Sequence, residues 1–271
     1  MNTWDAYFAI DAVNWSLLKC MDESPLAYRH AADNDRPDLH HFRVGRYVHA
    51  QVLDPEHAPE QYAIWTGGDR RGADYRAFKE AHPHHVIFKP DEIADMDGMI
   101  AAIRAHGPAA ALLSAPDART EQIVTWTDPD TGIACKARPD LIIPSMRIVA
   151  DLKTTRSIDV RRFGNEIARY GYHGQLVHYA AGIEHALGWK PERHVLIAVE
   201  KAPPYDVAVF DVADCALTVA REKVATLLGA LKDCLDRDHW PGRYPEPVVL
   251  DHTNLPPWIY GGGPDIVELE D

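Results

Sequence analysis

Along the middle of the chain the spacing of apolar residues changes from helical to alternating. Three short runs rich in Val, Ile and Thr follow one another: "EQIVTWT" (121–127), "IACKARPDLIIP" (133–144) and "RIVADLKTT" (147–155). The turn "DPDTG" separates the first two and a tight turn at Ser145 the last two, a pattern that predicts three consecutive antiparallel strands, a β-meander. On the third run, period two sends Arg147, Val149, Asp151, Lys153 and Thr155 to one face and Ile148, Ala150, Leu152 and Thr154 to the other. Helical spacing then returns in residues 160–189, with Leu176, Tyr179, Ala180, Ile183 and Leu187 on one side. Two further strands, "HVLIAVE" and "YDVAVFDV", and a helix from Cys215 to Leu235 complete this half.

The N-terminal part is patterned as helix. Residues 14–32 give a helix, a Ser-Pro break and a second helix start, and "HFRVGRYVHAQVLDPE" (41–56) gives a helix stopped before Pro55. Residues 67–72 form a loop, and residues 74–113 are mostly helical with Pro and Gly interruptions. No internal repeat is visible. The expectation is an α/β fold with a central mixed β-sheet flanked by helices. One domain spans residues 1–250, with a mainly helical part (1–118) and a core (119–250), before a Gly-rich acidic tail (251–271) whose first reading is a flexible end.

Composition narrows the class. A chain of 271 residues that is 46% hydrophobic can bury a sizeable core as one elaborated domain. No apolar run approaches the roughly 18 residues of a membrane span, and "MNTWDAYFAI" lacks the basic and apolar blocks of a signal peptide, so a cytoplasmic protein with no membrane contact is expected. Cys20, Cys135, Cys215 and Cys234 form no C-x-x-C pair and read as free thiols. The pair His40-His41 and the cluster His82, His84 and His85 sit among loop-type residues and read as solvated.

The net charge of −13 argues against a non-specific nucleic-acid coat protein, because phosphate binding is mainly electrostatic. Its distribution matters more. Residues 133–170 hold eight Lys and Arg against four Asp and Glu, whereas residues 233–271 hold two against nine. A basic centre is carried on an acidic body.

Within that centre Asp140, Asp151 and Lys153 interrupt the most apolar segment of the chain. Asp151 and Lys153 share a face, Lys136, Arg138 and Asp140 share another, and a hairpin through Ser145 sets Asp140 within a residue or two of Asp151. Pro139 marks a bulge that aims Asp140. Two close carboxylates repel, so either one is protonated or a divalent cation lies between them, and hard-cation chemistry favours the cation. A neighbouring ammonium then suits phosphodiester hydrolysis, by orienting water and offsetting transition-state charge. By itself the Asp-x-Lys is equally what an ion pair on an edge strand would look like.

With its surroundings, "RPDLIIPSMRIVADLKT" resembles the PD-(D/E)XK nuclease signature as carried by the exodeoxyribonuclease VIII (RecE-type) and lambda-exonuclease-like group. Further pieces match in order from about Trp15 to Leu235: "SLLK" then "SP", "GRYVHAQVLDPE" for a Gly-x-x-x-His helix, Glu121 opening the first strand, and Gln175 and Tyr179 as Gln-x-x-x-Tyr in "YGYHGQLVHY". Bulky Tyr47 departs from the small residue usual there. Four cysteines without the required spacing exclude the iron–sulfur branch.

The resemblance implies a restriction-endonuclease-like core and assigns Asp140 and Asp151 as ligands of Mg²⁺, which Mn²⁺ would replace. It adds the Leu152 carbonyl and His49 as ligands, Lys153 as the water-positioning residue and Gln175 as a helix residue reaching the site. Glu121 is a further ligand or a solvated strand-opening residue, and without the family His49 reads as an ordinary helix histidine. Lys136, Arg138, Arg156, Arg161, Arg162 and Tyr179 are candidate DNA contacts, each also readable as ordinary surface or structural chemistry. The implied activity is exonucleolytic hydrolysis of linear double-stranded DNA, 5′ to 3′, in phage or prophage recombination. The implied assembly is a homo-oligomeric ring of three or four subunits, with a single-strand annealing recombinase as partner. An endonuclease or junction resolvase, or a catalytically silent DNA-binding or assembly protein, is the alternative on the same fold.

Overall fold

The structure is a computed structural model and describes residues 3–34, 40–58, 62–83, 85–256 and 259. His84 and most of the tail expected to be flexible lie outside the described residues. The helical part comprises α1 (Thr3–Ala9), α2 (Trp15–Leu18), a 3₁₀ turn at Lys19–Asp22, α3 (Pro25–Asp33) and α4 (His40–Leu53). The starts of α2 and α3 follow from capping, since Asn14 Oδ1 accepts from Leu17 N (2.9 Å) and Ser24 Oγ from Ala27 N (3.0 Å), with Pro25 at the first helical position. The His40-His41 pair opens α4 instead of lying in a loop. His82 ends α5 (Ala73–Ala81), its Nδ1 donating to Phe78 O (2.8 Å).

Between α4 and α6 (Pro90–Ala105) the structure holds a small parallel ladder of β1 (Tyr62–Ile64) and β2 (Val86–Phe88). The helical reading of residues 74–113 passes over β2. These strands bring Tyr62 and Phe88 against Tyr47 in edge-on contact, with centroids 4.9 and 5.4 Å away. The bulk of Tyr47 is thus absorbed by a local aromatic cluster. Helix α7 (Gly107–Leu113) leads into the core.

The central sheet has the order β3-β6-β7-β8-β9: Arg119–Thr120, Leu141–Ile143, Ile148–Thr155, Arg193–Glu200 and Val207–Asp211. It is mixed, with β7 parallel to β8 and the other pairs antiparallel. The expected meander is corrected here. Residues 133–144 are not one strand: β5 (Ala134–Ala137) pairs with β4 (Val124–Thr127) in a separate two-stranded ribbon, and the chain crosses at Arg138-Pro139-Asp140 into β6. Pro139 offers no N–H to a ladder, which is why the switch falls there. Glu121 precedes the ribbon in a left-handed turn (φ 53°) instead of opening a strand. The turn to β7 is a 3₁₀ turn, Pro144–Met146, held by Ser145 N and Oγ donating to Asp117 (2.7 Å each).

Strand β7 serves two cores because its side chains alternate. Ile148, Ala150 and Leu152 pack with Val48 of α4, Met96, Met99 and Ile103 of α6, and Leu112 of α7. Val149 packs on the opposite face with Leu176, Tyr179 and Ile183. Fully burying each such Leu or Ile contributes about 2 kcal/mol, so β7 is fixed firmly from both sides. The residues behind it form two helices, α8 (Val160–Tyr170) and α9 (Tyr172–Leu187), broken at Gly171 with φ 70°. The reason is Trp15: Cβ atoms at Gly171 and Gly174 would lie 2.9 and 2.3 Å from its ring. A third core joins Trp15, Leu18 and Cys135 to Leu228 and Leu231 of α10 (Asp214–Arg237).

The N-terminal segment is sewn to the ribbon. Val13 N donates to Ala134 O and Lys136 N to Val13 O (2.9 Å each), while the Lys136 ammonium donates to the carbonyls of Tyr7 (2.9 Å) and Ile10 (2.7 Å). Among the described residues no helix is long and apolar enough to cross a membrane.

Candidate active site

The β6–β7 hairpin pairs Leu141 with Ala150, so Asp140, one residue earlier, arrives beside Asp151. Asp140 Oδ2 accepts the Leu152 amide (2.8 Å) and lies 3.3 Å from His49 Nδ1. His49 reaches it because α4 packs across β7, Val48 lying in the same core as Ile148, Ala150 and Leu152. Burial alone would raise the pKa of Asp140, but His49, Lys153 and the Leu152 amide outweigh it and hold the carboxyl below its ordinary value. Burial likewise opposes charge on His49, yet Asp140 prevails and lifts the imidazole above its usual range.

Asp151 is the opposite case. It is 1% exposed, and neither carboxylate oxygen receives a hydrogen bond of good geometry; its close partner is the Lys153 ammonium. Burial first, and then Asp140, push its pKa up. Lys153 Nζ donates to Gln175 Oε1 (3.0 Å) and sits 4.5 Å above the ring of Tyr172. Gln175 Nε2 in turn donates to the Tyr179 hydroxyl (2.6 Å), an i,i+4 pair on one face of α9.

Asp140, Asp151, Lys153, Gln175 and His49 therefore converge from α4, β7, α9 and the segment before β6. The hydrogen bonds place His49 as the partner of Asp140. Glu121 comes close, its amide donating to Asp140 O (3.1 Å), but its carboxylate is committed to the buried guanidinium of Arg138. Burial raises the Glu121 pKa, and Arg138 works against that rise.

Lys136 and Arg138 need correction as DNA contacts. Both are buried, Lys136 on backbone carbonyls of the N-terminal segment and Arg138 on Glu121, so neither presents its charge to a ligand. Tyr179 is also buried, its hydroxyl accepting from Gln175. Arg156, Arg161 and Arg162 are exposed, the last two on the first turn of α8. Tyr172 escapes the sequence reading because its contact with Lys153 depends on the break at Gly171. The signal available was the aromatic pair flanking a glycine in "YGY".

Among the described residues no three His, Cys, Asp or Glu side chains are set to hold a metal ion unaided. The donor set nevertheless fits a hard divalent cation that takes one or two carboxylates and completes its shell with water and phosphate oxygen. The buried Asp151 oxygens, which receive no hydrogen bond of good geometry and face a second carboxylate, are the observation that supports this fit.

No curated protein sequence matches the chain significantly. A candidate exonuclease from Eubacterium rectale superposes with a TM-score of 0.60 at 15% identity, over 90% of this chain and 87% of that one, which shows a shared fold. A phage-related exonuclease from Haemophilus somnus aligns over 84% of this chain and 96% of its own at 10% identity, with a TM-score of 0.35. Residues 14–247 match the family described as "PDDEXK-like domain of unknown function (DUF3799)". The match agrees with the mixed sheet, its flanking helices and the cluster of Asp140, Asp151 and Lys153: the chain belongs to this PDDEXK-like family and carries the restriction-endonuclease-like fold of the PD-(D/E)XK nuclease superfamily.

Proposed function

We propose that the protein is a Mg²⁺-dependent exodeoxyribonuclease that hydrolyses linear double-stranded DNA, 5′ to 3′, in phage or prophage recombination. The carrying observation is the convergence of Asp140, Asp151, Lys153 and Gln175 on one buried, electrostatically unbalanced point. Loss of catalysis would leave that arrangement without a use, which weighs against a silent DNA-binding protein.

Asp140 and Asp151, with the Leu152 carbonyl, are the residues that would hold the ion. When bound it would polarise the phosphate and lower the pKa of water, and Mn²⁺ is expected to substitute. Lys153 offers an ammonium fixed by Gln175 and Tyr172, suited to orienting the attacking water and to offsetting charge that grows on the phosphoryl oxygens. Leu152 N–H and His49 keep Asp140 ionised and aimed. Arg156, Arg161 and Arg162 provide exposed charge for the phosphate backbone.

The test is a time course on 5′-labelled linear, 3′-labelled linear and covalently closed circular duplex with Mg²⁺. Progressive release from the 5′ label with the circle intact is expected. Cutting of the circle would mean an endonuclease or junction resolvase, and no cutting of any substrate a silent protein. The ring of three or four subunits, acting beside a single-strand annealing recombinase, belongs to the same proposal.

A further inference from the structure

Residues two apart on a continuous helix point to opposite sides and cannot stack. Tyr170 and Tyr172 do stack, with centroids 5.7 Å apart and ring planes at 30°, because Gly171 in the left-handed region separates the last residue of α8 from the first of α9. The stack has two charged ends. Lys153 Nζ lies 4.5 Å from the Tyr172 ring, and the Arg169 guanidinium lies 5.8 Å from the Tyr170 ring. Tyr172 is half-buried, whereas Tyr170 is 44% exposed and belongs to none of the three cores. An aromatic path thus runs from solvent to the proposed catalytic lysine, with Arg169 at its outer end.

We propose that Tyr170 is a stacking platform for the nucleobase next to the scissile phosphate on the strand being cut, its inner face held by Tyr172 and the exposed Arg169 guanidinium swinging off its outer face to cap the base. This rests on the nuclease reading and specifies its substrate: the site takes a nucleotide whose base has left the duplex stack. Stacking on an aromatic face is sequence-tolerant, because every base has a π-face, and a neighbouring cation reinforces it. A duplex end supplies such a base by fraying. Tyr170 is therefore a positioning residue, selecting the phosphate that reaches Asp140, Asp151 and Lys153 without touching the reacting atoms.

The experiment measures binding by fluorescence anisotropy, with Ca²⁺ in place of Mg²⁺ so that DNA survives. The ligands are short linear duplexes carrying an abasic site at each of the first four nucleotides of the cleaved strand in turn. The intact protein should bind one of these about tenfold more weakly than the normal duplex. Tyr170→Leu, which keeps apolar bulk without a π-face, should bind both equally weakly, and Tyr170→Phe should restore the discrimination. Thermal melting of all three proteins should coincide. The inference is overturned if Tyr170→Leu discriminates as the intact protein does, if Tyr170→Phe fails to, or if the intact protein cuts duplex in Mg²⁺ yet ignores every abasic site. An intact protein that neither binds nor cuts duplex would instead bring down the nuclease reading, and this inference with it.

Discussion

Lys153 tests the proposed chemistry most directly. Its ammonium contacts Asp151, Gln175 and Tyr172 and is no metal ligand, so Lys153→Ala should lower DNA hydrolysis by about 10²–10³-fold while leaving divalent-ion affinity, read by calorimetric titration, essentially unchanged. Activity within a few-fold of the parent would contradict the assignment. The two aspartates should part company without metal. Asp151→Asn removes a buried carboxylate whose burial and repulsion by Asp140 outweigh its pairing with Lys153, and should raise the apo melting temperature by an increment worth on the order of 1 kcal/mol. Asp140→Asn breaks the contacts to His49 and the Leu152 amide and should lower it. Both should lose Mg²⁺ affinity and cutting. Sequence alone shows Asp140, Asp151 and Lys153 because charges inside apolar strands stand out. It misplaces Lys136 and Arg138 because alternation says which residues share a face, not whether that face meets water or a carbonyl.

At the level of elements, α9 is the piece whose position sets the site, since it carries Tyr172, Gln175 and Tyr179. Its first turn rests on Trp15 with no room for a side chain at Gly174. Gly174→Ala should therefore push Gln175 away from Lys153, costing about 1–3 kcal/mol in chemical denaturation and much of the activity. A melting curve and turnover matching the parent would show that α9 tolerates displacement. Farther along, His178 is 1% exposed, and burial brings its pKa down to about 4 from 6.5 although its Nε2–H donates to Lys136 O (3.1 Å), a bond that works the other way. The folded form refuses a proton that the unfolded chain accepts. Stability from His178 is thus complete above about pH 6.5 and is lost as pH falls towards 4, by up to about 3 kcal/mol. Denaturant midpoints for His178→Gln should fall less steeply over that window; an unaltered slope would refute it. The strand β7 was legible because Ile148 to Thr155 is an unbroken run of mostly strand-forming residues, buried for most of its length on both faces. The split of β5 from β6 was not, because the alternation of apolar and charged residues from Cys135 to Leu141 continues across Pro139 while the backbone changes sheets.

For the whole molecule, charge and assembly go together. A chain of net charge −13 whose candidate DNA contacts are the few exposed arginines on and just before α8 would hold duplex DNA poorly alone, whereas several copies around a shared channel would add their basic centres and turn acidic surfaces outward. Light scattering in moderate salt should give a trimer or tetramer mass; a clean monomer with short distributive products would remove the ring. The layered helix, sheet and helix arrangement followed from the order of periodicities in the sequence. Nothing in those periodicities showed that Val13 pairs with the ribbon far along the chain and that carbonyls just before it enclose Lys136. That attachment bears on the order in which the protein folds. The Lys136 ammonium cannot be enclosed until carbonyls from a segment up to 129 residues earlier arrive, a closure that is entropically late and leaves the nascent N-terminus waiting. Its release should be equally concerted, so the amides of Val13 and Lys136, each bonded across the same junction, should exchange with deuterium at one common rate.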